Sequence, residues 1–150
     1  AAPLFALSPH PGRAVTNRFV LYCDGASRGN PGPAGIGAVQ YKEGPDGRRT
    51  VAEVSEPIGT ATNNVAEYRA LMAGLEVARR LAVEELVVRV DSLLLVRQLV
   101  GEYRVKAPGL KPLYRDAVGL LNGFRQVRIE HVHREENAEA DALANAALDR

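Results

Sequence analysis

The sequence predicts a single α/β domain in which helices flank a mixed β-sheet. Segments rich in β-branched and aromatic residues alternate with segments of helical period, in the order β β β α β α α β α. The 150 residues suit one hydrophobic core and leave little room for a second. We assign the domain to residues 18–150. Residues 1–17 are expected to be an N-terminal tail, because they hold three prolines but neither the basic lead nor the apolar run of a signal peptide.

The sequence pattern of the first part of the domain predicts an antiparallel meander of three strands. Residues 18–24 (RFVLYCD) are typical of a strand, and the glycine-dense segment that follows is expected to form a turn at once. Residues 35–43 alternate moderately, residues 44–47 (GPDG) are turn-forming, and residues 48–58 resume an extended pattern. These three segments should therefore pair in order along the sheet.

The middle of the chain changes to a helical period. Apolar side chains recur on one helical face across residues 63–81. Residues 85–91 (ELVVRVD) have the composition of a buried strand, and residues 93–100 predict a short helix that stops at Gly101. This succession predicts a parallel crossover between strands of one sheet.

The last third adds two helices and a strand. Residues 103–111 predict a loop that opens a third helix, which runs to about residue 121. Residues 127–132 alternate as a final strand, and the alanine-rich residues 135–148 predict one closing helix.

Composition excludes some classes of protein and leaves others open. No apolar run approaches the roughly 20 residues that a membrane span requires, so we expect no membrane partner. The net charge of +1 decides nothing about nucleic acids, because an acidic active site can cancel a local basic surface. Cys23 is the single cysteine, which excludes an internal disulfide and favours a reducing compartment. We expect a cytoplasmic monomer without an organic cofactor.

Four acidic residues stand where a purely structural pattern would place apolar ones. Asp24 ends the first strand and Asp91 ends the fourth, and ligands bind at the carboxyl ends of strands in open α/β sheets. Glu67 shares the core-facing stripe of the first helix, and Asp141 shares that of the last helix. The four side chains are therefore expected to converge.

Converging carboxylates repel one another and lose hydration, so a positive charge must balance them. No lysine or arginine is predicted beside them on the inner faces, whereas hard divalent cations bind carboxylate oxygens directly. We predict a Mg²⁺ or Mn²⁺ site holding two ions about 3.5–4 Å apart, for hydrolysis of a phosphodiester. Two alternatives stay open: Glu67 lies at capping-box spacing from Asn64, and Asp141 can be a surface charge of its helix.

Each acid lies within a distinctive segment. The segments are YCDGASRGNPGPAGIG (22–37), TNNVAEYRALMAGLE (62–76), VDSLLLVRQLVGEYRVK (90–106) and HREENAEADALANAAL (133–148). They resemble the four signature segments of type I ribonucleases H, and the resemblance covers residues 18–148.

The resemblance implies a three-layer ribonuclease H-like fold whose five-stranded mixed sheet has the order 3-2-1-4-5. It also implies an endonuclease that hydrolyses the RNA strand of RNA/DNA hybrids by two-metal-ion catalysis. The implied catalytic and metal-binding residues are Asp24, Glu67, Asp91 and Asp141.

The resemblance further assigns contacts with the hybrid. A bare glycine-rich backbone and nearby amides suit the wide, shallow minor groove, where RNA displays its 2′-hydroxyl groups. The assigned residues are Gly25, Ala26, Ser27, Arg28, Gly29, Asn30, Asn63, Asn64, Ser92 and Gln98. For the glycines a tight turn is an equally valid role, and for Ser92 the alternative is a helix N-cap.

Basic residues follow the second helix, where many bacterial members of the family insert a basic protrusion that carries tryptophan. This chain has no tryptophan and only a short loop there, so it is more similar to the compact archaeal and actinobacterial branch. The basic side chains form either a solvated face or a phosphate track for the DNA strand; they are Arg97, Arg104, Lys106 and Lys111.

Two histidines near the last strand are candidates for proton transfer or product release. The alternation is interpreted as placing His131 on one face of the strand with Ile129, and His133 on the opposite side at the strand's end. A residue beyond the strand has freedom to move, so His133 is the preferred candidate. His131 is expected to be packed or to cap a polar edge.

Two other functions compete with this interpretation. The same fold and acids serve transposases, integrases and junction resolvases, so a different nuclease of this fold is one alternative. A catalytically silent hybrid-binding module is the other. The presence of all four acids argues against the silent module.

Overall fold

The computed structural model describes residues 18–150, so the predicted tail at 1–17 lies outside the described residues. The described chain forms one five-stranded sheet with four α-helices and a short 3-10 helix. In chain order these are β1 (Arg18–Ser27), β2 (Gly32–Gly44), β3 (Gly47–Ala61), α1 (Asn63–Arg80), β4 (Glu85–Val90), α2 (Leu93–Leu99), α3 (Lys111–Leu121), β5 (Gln126–His131), the 3-10 helix (Arg134–Asn137) and α4 (Ala138–Asp149). Within this part of the chain, no helix is long and apolar enough to cross a membrane.

The sheet has the order β3-β2-β1-β4-β5, which confirms the predicted order. β1 pairs antiparallel with β2, and β2 with β3, so the meander is present. β4 lies parallel to both β1 and β5, as the crossover predicts. The central position of β1 brings its carboxyl end next to that of β4.

Alternate side chains of β1 enter two different cores, which gives the fold three layers. Leu21 and Cys23 face the larger core, which α1, α2 and α3 cover. Val20 and Tyr22 face the opposite side of the sheet, where they pack with Ala140 of α4. Helices therefore lie on both faces of the sheet, and they carry acids from both sides toward the end of β1.

The glycine-rich segment after Asp24 departs from the expected immediate turn. β1 continues to Ser27, which pairs with Ala34 of β2, and Gly25 pairs with Ile36. The turn itself is confined to the residues between the strands, and the Arg28 N–H donates to the Pro33 carbonyl at 2.8 Å to close it. Cross-strand hydrogen bonds thus override the weak strand propensity of glycine.

The closing helix also differs from the prediction, because it is interrupted at Asn137. The backbone there has φ −106° and ψ 20°, outside the α-helical range, and separates the 3-10 helix from α4. The Asn137 side chain donates from Nδ2 to the carbonyl of Cys23 at 3.0 Å. The interruption therefore coincides with a buried contact to β1.

Two helices lie with their backbones directly against glycines of the sheet. A Cβ atom on Gly25 would lie 2.3 Å from the carbonyl carbon of Ala66 in α1. A Cβ atom on Gly37 would lie 2.2 Å from the carbonyl oxygen of Ala140 in α4. Such distances are far below van der Waals contact, so only glycine permits this approach.

We expect Gly37→Ala to destabilise the protein, because the new methyl group meets the carbonyl oxygen of Ala140 and the backbone nitrogen of Ala144, at 2.2 and 2.5 Å. The free energy of unfolding should fall by about 1–3 kcal/mol or more. The matched control is Gly119→Ala in α3, where a Cβ meets nothing within 4 Å and should stabilise the helix by about 0.5–1 kcal/mol. Urea unfolding followed by circular dichroism measures both, and equal stability of the two variants would contradict the close approach.

Candidate active site

Three of the four predicted acids meet at the carboxyl ends of β1 and β4. Oxygen atoms from the carboxylates of Asp24, Glu67 and Asp91 lie within 4.8 Å of one another. Asp24 lies in β1, Asp91 directly follows β4, and Glu67 lies in the second turn of α1. We call these three residues the carboxylate cluster.

Asp141 lies at the border of this cluster. It enters from the opposite face of the sheet, in the first turn of α4, and is partly buried. It lies within hydrogen-bonding reach of Asp24. Its own helix supplies a further neighbour, since Asn145 Nδ2 lies 3.3 Å from Asp141 Oδ1. The surface-charge alternative therefore does not describe Asp141.

Burial and mutual repulsion favour protonation of the cluster. Asp24 is only 5% exposed. Burial, and then the charge of Glu67, raise the pKa of Asp24 to about 9. Burial, and then the charge of Asp91, raise the pKa of Glu67 to about 8, although hydrogen bonds from Asp24 and the Gly25 N–H and the charge of Arg134 oppose this rise. Among the described residues, the positive charge of Arg134 therefore offsets the burial and repulsion at Glu67 only in part.

The donor set fits a hard divalent cation. Glu67 Oε2 is buried and has no hydrogen-bond partner within the described part of the chain. Buried polar atoms are rarely left unpaired, and carboxylate oxygens are the ligands that Mg²⁺ and Mn²⁺ prefer. A cation among Asp24, Glu67 and Asp91 would satisfy this atom and relieve the repulsion.

The N-caps of α1 and α2 bear on two alternatives from the sequence: the capping box of Glu67 with Asn64, which they exclude, and the N-cap role of Ser92, which is present. Thr62 is the N-cap of α1, and its Oγ1 accepts from the Val65 N–H at 3.2 Å. Glu67 therefore does not form a capping box with Asn64. Ser92 is the N-cap of α2, and its Oγ accepts from the Leu95 N–H at 3.2 Å.

The turn after β1 is fastened to the start of α1 by two asparagine side chains. Asn63 Oδ1 accepts from the Ser27 N–H at 3.1 Å, and Asn30 Oδ1 accepts from the Asn63 N–H at 3.0 Å. Arg28 forms an exposed ion pair with Asp149, 2.6 Å apart. These bonds use the amide oxygens, so the predicted contacts of this turn with a substrate would involve the amide nitrogens and the backbone.

Gln98 does not have the surroundings expected of a substrate contact. It is 6% exposed, and its Oε1 accepts from the Tyr68 hydroxyl at 2.7 Å. This buried bond joins α2 to α1. This bond gives Gln98 a packing role, and its predicted contact with a substrate stays a prediction.

The basic residues after α2 divide into two groups. Arg97 donates to the Tyr103 hydroxyl at 2.7 Å and lies 3.8 Å from a Glu102 carboxylate oxygen. Arg104 and Lys111 are exposed and line an open groove, and Lys106 is exposed as well. The phosphate track stays a prediction for these three, whereas local contacts already account for Arg97.

The two histidines lie on the same side of the chain, so the predicted opposite placement is wrong. Their ring centroids are 6.0 Å apart in an edge-to-face arrangement. Both residues are exposed, so His131 is also not packed as expected. Residues two apart in an extended chain share a face, which explains the contact. The His133 N–H donates to Glu136 Oε1 at 3.2 Å at the start of the 3-10 helix.

Sequence reasoning missed three residues that shape the site. Asn137 is 1% exposed and ties α4 to the residue before Asp24. Arg134 supplies a positive charge that lowers the pKa of Glu67, although no such cation was expected nearby. Asn145 contacts Asp141. An asparagine before a helix indicates an N-cap, but no periodic pattern signals a contact across the chain.

This sheet order, with carboxylates at the ends of β1 and β4, defines the ribonuclease H-like class of α/β folds. The sequence profile of the Reverse transcriptase-like family matches residues 22–147. The bifunctional protein Rv2228c of Mycobacterium tuberculosis is 48% identical over 132 residues, which are 88% of this chain and 36% of that protein. Ribonuclease HI of Halobacterium salinarum is also 48% identical, over 88% of this chain and 65% of its own length.

A related solved structure contains a nucleic-acid duplex. LC11-RNase H1, solved in complex with an RNA/DNA hybrid, is 42% identical with a TM-score of 0.80, and the match covers 88% of this chain and 97% of that one. The chain belongs to the ribonuclease HI family. It spans about a third of the mycobacterial relative's length, 36%.

Metal-free stability should decrease as the pH rises. The folded state keeps protons on Asp24 and Glu67 that the unfolded chain loses above the ordinary values of 3.8 and 4.5. Folding therefore binds protons, and stability falls between about pH 4 and the raised values of about 9 and about 8. In the presence of a chelator, we expect the melting temperature to fall by several degrees between pH 5 and pH 8.

Asp24→Asn should flatten this dependence and equal or exceed the wild type in melting temperature at the alkaline end, because one repelling charge is gone. The control is Asp46→Asn, at an exposed turn, which should retain the wild-type slope. A wild-type melting temperature that rises over the same range would contradict the assignment.

Proposed function

We propose that this chain is an endonuclease that hydrolyses the RNA strand of RNA/DNA hybrids. The carboxylate cluster carries the proposal, because its three acids have oxygens within 4.8 Å of one another and Glu67 Oε2 has no hydrogen-bond partner among residues 18–150, which suits metal-dependent phosphodiester hydrolysis. The hybrid as substrate is supported by the family and by LC11-RNase H1, which was solved in complex with such a duplex.

The proposed cofactor is a pair of Mg²⁺ or Mn²⁺ ions held by Asp24, Glu67, Asp91 and Asp141. When bound, two such ions activate a water molecule and stabilise the leaving oxygen of the phosphodiester. The carboxylates act as ligands and do not attack the phosphate. Burial of Asp24 and Glu67 keeps bulk water from competing for their oxygens, and the Gly25 N–H orients the Glu67 carboxylate.

Recognition of the RNA strand is proposed for residues 25–30, at the end of β1 and in the turn after it, and for Asn63, Asn64 and Ser92. This segment follows Asp24 in sequence and is fastened to α1 through Asn63, so its backbone is preorganised beside the cluster. Asn63 and Asn64 are exposed. Backbone and amide donors of this kind suit 2′-hydroxyl and phosphate oxygens in a minor groove.

We also propose that the protein acts in the cytoplasm and as a monomer. The single thiol, Cys23, is buried, and burial followed by the charge of Glu67 raises its pKa well above the usual range, so it is unreactive. A chain without disulfides is compatible with a reducing compartment.

Cleavage of labelled RNA/DNA, RNA/RNA and DNA/DNA duplexes and of a four-way junction, each with Mg²⁺, Mn²⁺ or chelator, tests the proposal. We expect metal-dependent cutting of RNA in the hybrid, and resistance of a hybrid whose RNA is 2′-O-methylated throughout. Asp91→Asn should retain less than about a tenth of the wild-type rate at saturating metal, with hybrid binding intact.

The matched control for this substitution is Asp116→Asn, at an exposed position of α3, which should cleave like the wild type. Preferential cutting of the junction would support another nuclease of this fold. Hybrid binding without any metal-dependent cleavage would support the silent module.

We also propose that His133 assists proton transfer or product release, since it is exposed and lies between β5 and the 3-10 helix that precedes the acid-bearing α4. His133→Ala should lower turnover by no more than about tenfold, because bound metal ions would supply most of the activation. His131→Ala, the neighbouring exposed ring, is the control. The steady-state turnover and the melting temperature of both variants are measured. A loss of turnover in His131→Ala alone, at unchanged melting temperature, would assign the role to His131 instead of His133.

A further inference from the structure

Asn145 faces the one predicted acid that lies outside the carboxylate cluster. Its Nδ2 lies 3.0 Å from the carbonyl oxygen of Asp141 and 3.3 Å from the Oδ1 of the same residue. Asn145 lies one helical turn after Asp141 in α4, and both side chains are partly buried. A single amide therefore contacts both the backbone and the carboxylate of Asp141.

The identity of this residue is unusual for its place in the helix. The surrounding positions of α4 are mostly alanine and leucine, which favour helix, whereas asparagine is a weaker helix former. Asparagine side chains also compete for backbone groups and are disfavoured within helices. Local helix formation therefore does not account for asparagine here, while the contact with Asp141 does.

The chemistry of an amide suits the neighbourhood of a metal ligand. The Nδ2 group donates a hydrogen bond to a carboxylate but carries no net charge, so it does not compete with a cation as a lysine or arginine would. One bond to Oδ1 leaves the other lone pairs of the carboxylate available. Partners of this kind fix the orientation of metal-binding carboxylates in proteins.

Asp141 lies between the buried cluster and the solvent, and this position makes a restraint on its side chain useful. Asp24 lies within hydrogen-bonding reach of it and belongs to the buried cluster. Without a restraint, the partly buried Asp141 side chain can rotate away from the cluster toward solvent. A donor one turn away on the same helix restricts this rotation.

We propose that Asn145 is a positioning residue that holds the Asp141 carboxylate at the border of the carboxylate cluster, ready to complete a divalent-metal site. The proposal rests on the proposed function for its metal. The contact itself involves only residues of this chain, Asn145 and Asp141.

Three variants of the full chain test this role. Asn145→Leu removes the donor while keeping a side chain of similar length. Asn145→Gln retains an amide that can reach a carboxylate one turn away. Ala146→Leu, at an exposed position of the same helix, is the matched control for adding leucine to α4.

The primary readout is Mn²⁺ binding to the substrate-free protein, measured by electron paramagnetic resonance. We expect Asn145→Leu to weaken binding by about tenfold, and Asn145→Gln and Ala146→Leu to stay near the wild type. The Mg²⁺ concentration for half-maximal hybrid cleavage should rise in parallel in Asn145→Leu. Its rate at saturating Mg²⁺ and its KM for the hybrid should stay close to the wild-type values.

Wild-type Mn²⁺ affinity in Asn145→Leu would overturn the proposal, whatever its melting temperature. Equal loss in Asn145→Gln and Asn145→Leu would also overturn it, because a donor would then be irrelevant. If Mn²⁺ affinity depends on Asn145 as expected but the wild type cleaves no hybrid, the positioning role stands and the proposed function fails.

Discussion

At Gly25 and Gly37 the backbones of α1 and α4 lie against the sheet at distances that no Cβ atom allows. The side chains of aspartate and glutamate are short, so acids carried by two helices and two strands can meet only if those helices lie this close. Gly25 adjoins Asp24, and its neighbour across the layer is the backbone just before Glu67. The positions of the acids therefore depend on the absence of two side chains.

Bringing the acids together creates an electrostatic cost that the fold itself only partly offsets. Burial and repulsion raise the pKa values of Asp24 and Glu67, while Arg134 and the Gly25 N–H act in the opposite direction on Glu67. Glu67 Oε2 still has no partner among the described residues. Close packing elsewhere in the core must hold this arrangement, and a divalent cation is the natural complement to it.

Hydrogen bonds made by uncharged asparagine side chains connect the elements that form the site. Asn30 and Asn63 fix the turn after β1 to the start of α1, and Asn137 fixes the start of α4 to β1 through the Cys23 carbonyl. An amide can donate and accept without adding charge near the acids. These amides thus connect the elements around the site without placing a positive charge beside the acids.

The sequence by itself determined the order of strands and helices and the inward placement of the four acids, because periodicity and strand ends are local properties. It also led, through the resemblance, to the correct sheet order. Tertiary structure alone decided that β1 continues past Gly25, that Gln98 is buried and that α4 begins after Asn137. Asn137 and Cys23 are 114 residues apart in sequence. Contacts across such a separation exist only in the folded chain, so no local pattern can encode them.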